Sequence, residues 1–569
     1  MKLRGIGASD GIAIGKAFKY EKINLDIVRS EIEDIQGEIE SFREAIDKTE
    51  ASIKAIKGTV TRNIDAEHGL IFDAHLEILK DPVMTDEVIS KVEDAKINAS
   101  FALKETTDFY VSLFDQMEDE YLKSRAVDIK DVFFRVQCYL HGVKMNDLSG
   151  INEPVIIVCD DLTPSDTAQL DKSLILGFVT NIGSRTSHSA IMARTLEIPA
   201  VLGTGSVTEA ACHGCEMILD GQDGQVIIEP NHEDIEAYEK KHLELLEVKK
   251  LLSKYKERET LTRCGHHIEL AANIGSYDDI EGVLKNGAEG IGLFRTEFLY
   301  MNRDDFPSEE DQFQAYKKVL EAMDDKPVVI RTLDIGGDKH LSYMPLDEEL
   351  NPFLGHRAIR LCLEKTDVFK TQLRALLRAS IYGNLKIMFP MIATIGDFTN
   401  AKAVYDGVKA DLKKEGILVS DEIELGIMVE IPAAALLADQ FAKHVDFFSI
   451  GTNDLIQYTF AADRMNEKVS YLYQPFNPSL LRLIKMVSDA AHKENKWLGM
   501  CGEMAGDLLA GPLLVGLGLD ELSMSPSSIL PLRKRLTELN KSELESLGQK
   551  TLTCASSEDV LNLIKGIES

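Results

Sequence analysis

Long hydrophobic runs are missing from this chain. No stretch reaches the roughly 18 apolar residues of a membrane span, and the start, MKLRGIGASDGIAIGKAF, lacks the continuous apolar core of a signal peptide. Positive charge is in deficit: 63 Lys and Arg stand against 94 Asp and Glu, a formal net charge of −31. That argues against a nucleic-acid binder, which needs cations along a phosphate backbone, and suits a protein that attracts a basic partner. Cysteine is sparse, eight residues scattered over 569, which fits a reducing compartment better than a disulfide framework. A cytoplasmic location is therefore expected. Cys212 and Cys215, in CHGC, have no second pair at zinc-ligand spacing, and the His lies inside the motif. A turn without chemistry is the expected reading.

What is present is ordinary for a globular chain with several cores: 44% hydrophobic and 28% charged residues, over a length that suggests about three to five domains. The first twenty residues read as strand and turn. From about residue 24 to 146 the texture is helical, with apolar residues every three or four positions in SEIEDIQGEIESFREAIDKTEASIKAIK, HGLIFDAHLEILKDP and AVDIKDVFFRVQCYLHGV. Two long hairpins packed together are expected there. Strand signals return at PVIIVCDDLTPSD, LILGFVTNIG, IPAVLGTG, EMILDG and QVIIEP. With the N-terminal strand they make an α/β unit of about a hundred residues, which the helical segment interrupts. A charged helix follows, with an apolar stripe of Tyr238, His242, Leu245 and Val248, and reads as a solvated linker.

Beyond residue 260, eight short apolar runs alternate with helical stretches: IELAANIG, GIGLFRTEF, PVVIRTLDIGG, LKIMFPM, LGIMVEIP, FFSIGTNDL, WLGMCGEM and LSMSP. This rhythm predicts a (β/α)8 TIM-like barrel, whose active site gathers where the strands end. The expected fold is thus a multidomain α/β chain with boundaries at 1–20, 21–146, 147–229, 230–259 and 260–569: an α/β domain interrupted by an all-α insert, a linker helix, then the barrel.

Polar residues sit at those strand ends. Arg295 and Arg331 follow adjacent strands, Lys339 lies beyond a Gly-Gly, and Arg357 and Arg464 come from later loops. Guanidinium forks grip carboxylate and phosphate oxygens through two parallel hydrogen bonds. Glu430 and Asp454 offer hard oxygen ligands of the kind Mg2+ accepts, beside Asn453. One such Arg alone is more often a surface ion-pair partner. Five cations and two carboxylates at one rim would repel their like neighbours unless a small, multiply anionic ligand and a divalent cation joined them. Cys501 would ordinarily be a buried structural cysteine; beside this cluster its thiol could deliver a proton to a bound enolate.

Several ungapped motifs in one order carry a resemblance. GSRTSHSAIMARTLEIPAVLGTGS, EGIGLFRTEFLYM, RTLDIGGDK, NPFLGHRAIR, IMVEIPAAA, DFFSIGTNDLIQYT and GMCGEMAGD make the chain resemble, over essentially its whole length, the enzyme I family of the bacterial phosphoenolpyruvate:sugar phosphotransferase system. The resemblance implies that His188 is phosphorylated on Nε2 by phosphoenolpyruvate with release of pyruvate, and that Thr167 hydrogen-bonds its imidazole. It makes Arg295, Arg331, Asn453, Asp454 and Arg464, with Lys339 and Arg357 nearby, the phosphoenolpyruvate-binding set. It makes Glu430 and Asp454 the magnesium ligands and Cys501 the proton donor. The insert becomes a docking domain for the phosphocarrier protein HPr, with Glu67, Asp73, Leu79 and Arg125 on its docking helices. A homodimer through the barrel is implied as well. Ser184, His356 and CHGC depart from the family pattern without touching the chemistry.

The helix after His188 suits this role, because its free N–H groups and partial positive charge favour an anionic phosphoryl group and an unprotonated imidazole. A histidine that must meet both the barrel and the insert implies a swivelling domain, hinged near residues 21 and 146 and at the linker helix. Three rival readings compete with this one. A dikinase or synthase would need a large ATP-binding domain before His188, where only about 180 residues stand and no phosphate loop with Lys appears; a relative with an added sensory domain would likewise need a longer N-terminus. The alternative from another class is a catalytically inactive regulatory protein that senses phosphoenolpyruvate. Loss of His188, Cys501 or a metal carboxylate would be expected of it, and all are present.

Overall fold

A computed structural model describes residues 1–20, 25–63, 71–115, 120–143, 151–162, 166, 173–183, 189–190, 193, 198–301, 303, 305–337, 339, 341, 343–344, 346–347, 349–463 and 466–566. The chain divides into two compact units, Met1–Glu247 and Val248–Ser569.

The first unit is built on strands β1 (Lys2–Arg4), β2 (Ile6–Ser9), β3 (Ile12–Lys19), β4 (Val155–Cys159), β5 (Ile175–Thr180), β6 (Ala200–Leu202), β7 (Glu216–Asp220) and β8 (Gln225–Ile228). They form one sheet in the order β1-β8-β7-β3-β4-β5-β6-β2. The interruption after β3 leaves no gap in it, because β3 pairs in parallel with β4 on the far side of the insert, Lys16 opposite Val155. Both faces are covered. Ile157 and Cys159 of β4 enter a core with Phe178, Ala190 and Ala193, whereas Ile156 and Val158 enter another with Val201, Met217 and Leu219. A strand buried on both faces reads as an unbroken apolar run rather than an alternation, as VIIVC does.

The insert holds helices α1 (Ile35–Asn63), α2 (Ile71–Lys80), α3 (Pro82–Ala95), α4 (Ala99–Asp115) and α5 (Glu120–Leu140). Among the described residues five helices stand where two hairpins were expected, and Asp81-Pro82 explains part of the difference. Proline lacks the N–H needed to continue a helix but suits the first position of a new one, and the Asp81 carboxylate caps that start by accepting from Val83 N at 2.8 Å. Leu79, expected on a docking helix, is fully buried among Phe42, Phe72, Val88 and Phe133. It belongs to the core of the insert, not to its surface. Glu67 lies outside the described residues.

The expected linker is α6 (His232–Ser253), which has no buried residue. Its N-terminal half is nevertheless tied down: Lys241 Nζ reaches Asp220 and Asp223 at 2.6 Å each, and Tyr238 hydrogen-bonds Gln225.

In the second unit β9 (Glu269–Ile274), β10 (Gly290–Arg295), β11 (Pro327–Arg331), β12 (Asn384–Phe389), β13 (Glu424–Val429), β14 (Phe447–Ile450), β15 (Trp497–Met500) and β16 (Glu521–Met524) close into a barrel. Every neighbouring pair is parallel, and β16 returns to β9 with Leu522 opposite Leu270. All eight strands fall in the eight apolar runs of the sequence. Inside, Leu293, Val329, Met388, Met428 and Phe447 pack together, and Trp497 stacks on Phe447 with ring centroids 4.4 Å apart.

One buried cation anchors the segment that enters the barrel. Arg533, in the helix Pro526–Thr537, is fully buried and donates to Thr260 Oγ1 at 2.8 Å, Tyr255 O at 3.0 Å, Lys256 O at 3.1 Å and Gly287 O at 2.6 Å. Arg533→Met would leave those carbonyls without a donor and is expected to lower barrel stability by about 3 kcal/mol or more. Trp497, the single tryptophan of the chain, reports that transition by fluorescence in urea; a loss below about 1 kcal/mol would show that the carbonyls do not depend on Arg533.

Candidate active site at the barrel mouth

Strand ends place the expected residues. Arg295 and Arg331 close β10 and β11 and face each other in register. Arg295 is exposed, with its guanidinium 5.1 Å from the centre of the Phe298 ring. Arg331 is buried: its guanidinium donates to Glu297 Oε1 at 2.7 Å and lies 2.9 Å from Asp334 Oδ2. Arg357 is buried too, gripping both oxygens of Asp334 at 2.9 and 3.1 Å and standing 3.7 Å from Asp454 Oδ2. Lys339 reaches Glu297 Oε1 at 2.6 Å. Its loop turns back through Gly336 and Gly337, at φ 108° and 71°. A Cβ on Gly336 would fall 2.5 Å from the Cβ of Arg357, so only glycine lets the loop pass the chain at this residue.

Glu297 and Asp334 are the members that sequence reasoning missed, and they correct its argument. The cations do not depend on a ligand to offset mutual repulsion, because these two fully buried carboxylates lie between them. Both residues stand in quoted motifs, LFRTEF and RTLDIGG, but an acid beside an arginine in sequence gives no sign of what it meets in space. Burial alone would push the Asp334 carboxyl up; Arg331, Arg357 and Lys339 overcome it and hold it well below the usual carboxylate range. Arg331 is the converse case: burial opposes its charge, and Glu297, Asp334 and Glu430 hold it above its ordinary value. The Nε–H groups of Arg331 and Arg357 remain buried without a partner among the described residues. Two unsatisfied donors of this kind are costly in an empty site and suit an anion.

Glu430, just after β13, and Asp454, in the first turn of the helix Thr452–Phe460, lie on the same side. Glu430 Oε1 accepts from Met391 N, and Asp454 Oδ1 is buried without a partner among the described residues. Burial, then Asp454 and Asp334, push the Glu430 carboxyl up to about 8. Glu430, whose charge Asp454 disfavours, and Asp454, with its orphaned oxygen, fit a divalent cation that takes its remaining ligands from substrate and water. No group of three or more metal-ligating side chains occurs among the described residues, so any such ion depends on outside oxygens. Asn453 sits beside them, accepting from Tyr473 OH at 3.0 Å.

Cys501 follows β15 in the same barrel and is buried, its Sγ 3.8 Å from Ile450 O. Burial pushes its thiol up to about 12, so it holds its proton at neutral pH. His188, Thr167 and Arg464 lie outside the described residues, as does Ser184. Next to His188, Ser189 and Ala190 are helical and buried, and Ala193 accepts from Ser9 Oγ at 3.2 Å. His356, another departure from the family pattern, lies 3.1 Å from Glu364. In CHGC, Cys215 is buried with its thiol donating to Cys212 O at 2.8 Å, and His213 packs on Phe18, a local turn.

Comparison with known proteins agrees with this layout. Residues 4–125 match the N-terminal domain of phosphoenolpyruvate-utilising enzymes, 151–224 their mobile domain and 249–541 their phosphoenolpyruvate-binding domain. The chain is 56% identical to the phosphoenolpyruvate-protein phosphotransferase of Bacillus subtilis over 564 residues, covering 99% of each. It is 53% identical to that of Priestia megaterium and 55% to that of Listeria innocua, each over 564 residues and 99% of this chain, covering 98% and 99% of the relatives.

The ion network yields a pH-dependent prediction. Because the folded-state pKa of Asp334 is depressed, its contribution is present above the unfolded value of about 3.9 and lost as pH falls below it. Asp334→Asn is expected to cost about 3 kcal/mol of barrel stability at pH 7. That difference narrows progressively below about pH 4. Urea unfolding at pH 7 and pH 3.5, read by Trp497 fluorescence, checks both the cost and its sign.

Proposed function

Because the chain belongs to the phosphoenolpyruvate-protein phosphotransferase family and is an enzyme of that kind, we propose that it transfers the phosphoryl group of phosphoenolpyruvate to its own His188, releasing pyruvate, and then to a histidine of the carrier protein HPr, opening sugar uptake by the phosphotransferase system. The observation that carries this reading is the cluster of Arg331, Lys339 and Arg357 beside Glu430 and Asp454 at the mouth of the barrel, with two buried guanidinium N–H donors that have no partner among the described residues.

Phosphoenolpyruvate presents a carboxylate and a phosphate, each a match for a planar guanidinium fork. Arg331 and Arg357 are held by Glu297 and Asp334 before substrate arrives, so little reorganisation is needed as charge spreads over the phosphoryl oxygens. Arg295, Arg464 and Asn453 complete the binding set in this reading. Glu430 and Asp454 would hold a magnesium ion, which when bound neutralises phosphoryl oxygens and orients the substrate. His188 Nε2 attacks phosphorus as the bond to the enol oxygen breaks. Thr167 orients the imidazole, and the helix that follows His188 favours the anionic product. The enolate carbon C3 then takes the proton of Cys501, which its raised pKa has kept in place, and becomes pyruvate.

His188 must reach the barrel to be charged and the carrier to be discharged. The α/β domain formed by residues 1–20 and 147–229 therefore swivels, with the 21–146 insert docking HPr through an acidic surface. The expected hinges near 21 and 146 lie outside the described residues. A barrel homodimer and a cytoplasmic setting belong to the same reading; among the described residues no helix is long and apolar enough to cross a membrane. No observation favours the inactive sensor.

Intact-mass spectrometry tests the proposal. With phosphoenolpyruvate and Mg2+ the wild type is expected to gain one acid-labile phosphoryl group and His188→Ala none. An adduct that survives this mutation removes His188 as the nucleophile. Chelation of the metal is expected to slow adduct formation by about a hundredfold or more.

A further inference from the structure

Cys501 stands just past the end of the sheet. The ladder between β15 and β16 stops at Met500 opposite Leu522, one residue short of it. On the β14 side its amide still donates to Ile450 O at 3.1 Å. The next residue, Gly502, passes so close to Thr452 that a Cβ there would overlap Thr452 Oγ1. Glycine permits that approach, but adds no steric restraint of its own to the peptide that follows Cys501.

An asparagine supplies the restraint. Asn273 lies in β9, which neighbours β16 on the side away from β15. Its side chain reaches over β16: Nδ2 donates to Cys501 O at 3.0 Å and to Ser523 O at 3.3 Å, and Oδ1 accepts from Ser523 Oγ at 2.6 Å. Carbonyl oxygens only accept, so the amide stands in one orientation. Ser523 is fully buried and Asn273 half-buried.

These bonds do more than close the barrel. β16 and β9 are already joined in register from Glu521 opposite Glu269 to Met524 opposite Ala272. What Asn273 adds is the hold on Cys501 O. With the amide of Cys501 fixed by Ile450 and its carbonyl by Asn273, the peptide planes on both sides are set, and with them the direction of the Cα–Cβ bond. Only χ1 then decides where the thiol points.

We propose that Asn273 is a positioning residue for proton delivery: by holding the Cys501 carbonyl, with Ser523 holding Asn273 in turn, it aims the thiol at one face of the enolate C3. The inference rests on Cys501 being the donor in that step. There the S–H bond breaks as the C3–H bond forms, and the thiolate regains a proton from water. When the thiol is out of line, the enol leaves first and takes its C3 proton from water, on either face. A displacement of about 1 Å costs on the order of a hundredfold in such a transfer, enough for release to compete. Alignment of Cys501 is therefore written in the stereochemistry of the pyruvate methyl group.

Chiral-methyl analysis tests this. Excess enzyme equilibrated in D2O with Mg2+ is given phosphoenolpyruvate carrying tritium at the Z position of C3. Lactate dehydrogenase and NADH trap the pyruvate as lactate before the half-reaction runs back. Protonation on one face gives a methyl group of hydrogen, deuterium and tritium with a single handedness, whereas protonation in solution gives a racemate. The wild type is expected to give one hand in excess. Asn273→Ala is expected to lower that excess at least about twofold. Ser523→Ala, which removes the hydroxyl that holds the amide, is expected to lower it in the same sense. A merely structural role would reduce the amount of product and leave the excess as it was. Cys501→Ala is expected to abolish the excess or the product. If it does, and the excess is unchanged in Asn273→Ala (or in Ser523→Ala, should the first variant not fold), the inference is overturned while Cys501 stands as donor. A racemic wild-type product, or an excess that Cys501→Ala retains, removes Cys501 as the donor and the inference with it.

Discussion

The barrel mouth depends on one physical arrangement, the burial of Glu297 and Asp334 between Arg331, Lys339 and Arg357. Each charge alone would be expensive away from water; together, at hydrogen-bond distance, they become a rigid cationic frame. The acids satisfy part of every guanidinium and leave Nε–H groups over. A site assembled in this way is ready for an anion before one arrives, which is the condition for stabilising a transferring phosphoryl group without reorganisation.

The same low-dielectric interior that strengthens those pairs raises other groups. Glu430 is shifted upward by burial and by its acidic neighbours, and Cys501 by burial alone as the leading cause. The two consequences differ. A carboxylate pair in this state favours a divalent cation, while a thiol in this state keeps a proton to give. Lower in the barrel, Glu521 meets the same penalty with only Lys386 as a partial offset, and its carboxyl is held well above the ordinary range.

Much of this was legible in order along the chain. The eight strand runs from IELAANIG to LSMSP each became a barrel strand, because short apolar segments ending in polar residues have few other parallel solutions. The α/β sheet also survived its interruption as expected. Asp81-Pro82 closes the quoted stretch HGLIFDAHLEILKDP, and its cap-and-proline signature marks the start of a further helix that the two expected hairpins do not contain. Leu79, placed on a docking helix by the family resemblance, is fully buried, because a resemblance assigns a helix to a partner without saying which of its side chains the core covers.

The sequence by itself determined the fold class, the family and the cationic strand ends, since these are properties of local pattern and motif. Only the tertiary structure decided that Glu297 and Asp334 neutralise the arginines, and that Asn273 of β9 reaches over β16 to the Cys501 carbonyl. Those relations join strands up to about 250 residues apart in the chain. The reason is the closure of the barrel: hydrogen-bond register between parallel strands, not spacing along the chain, sets which side chains meet inside it.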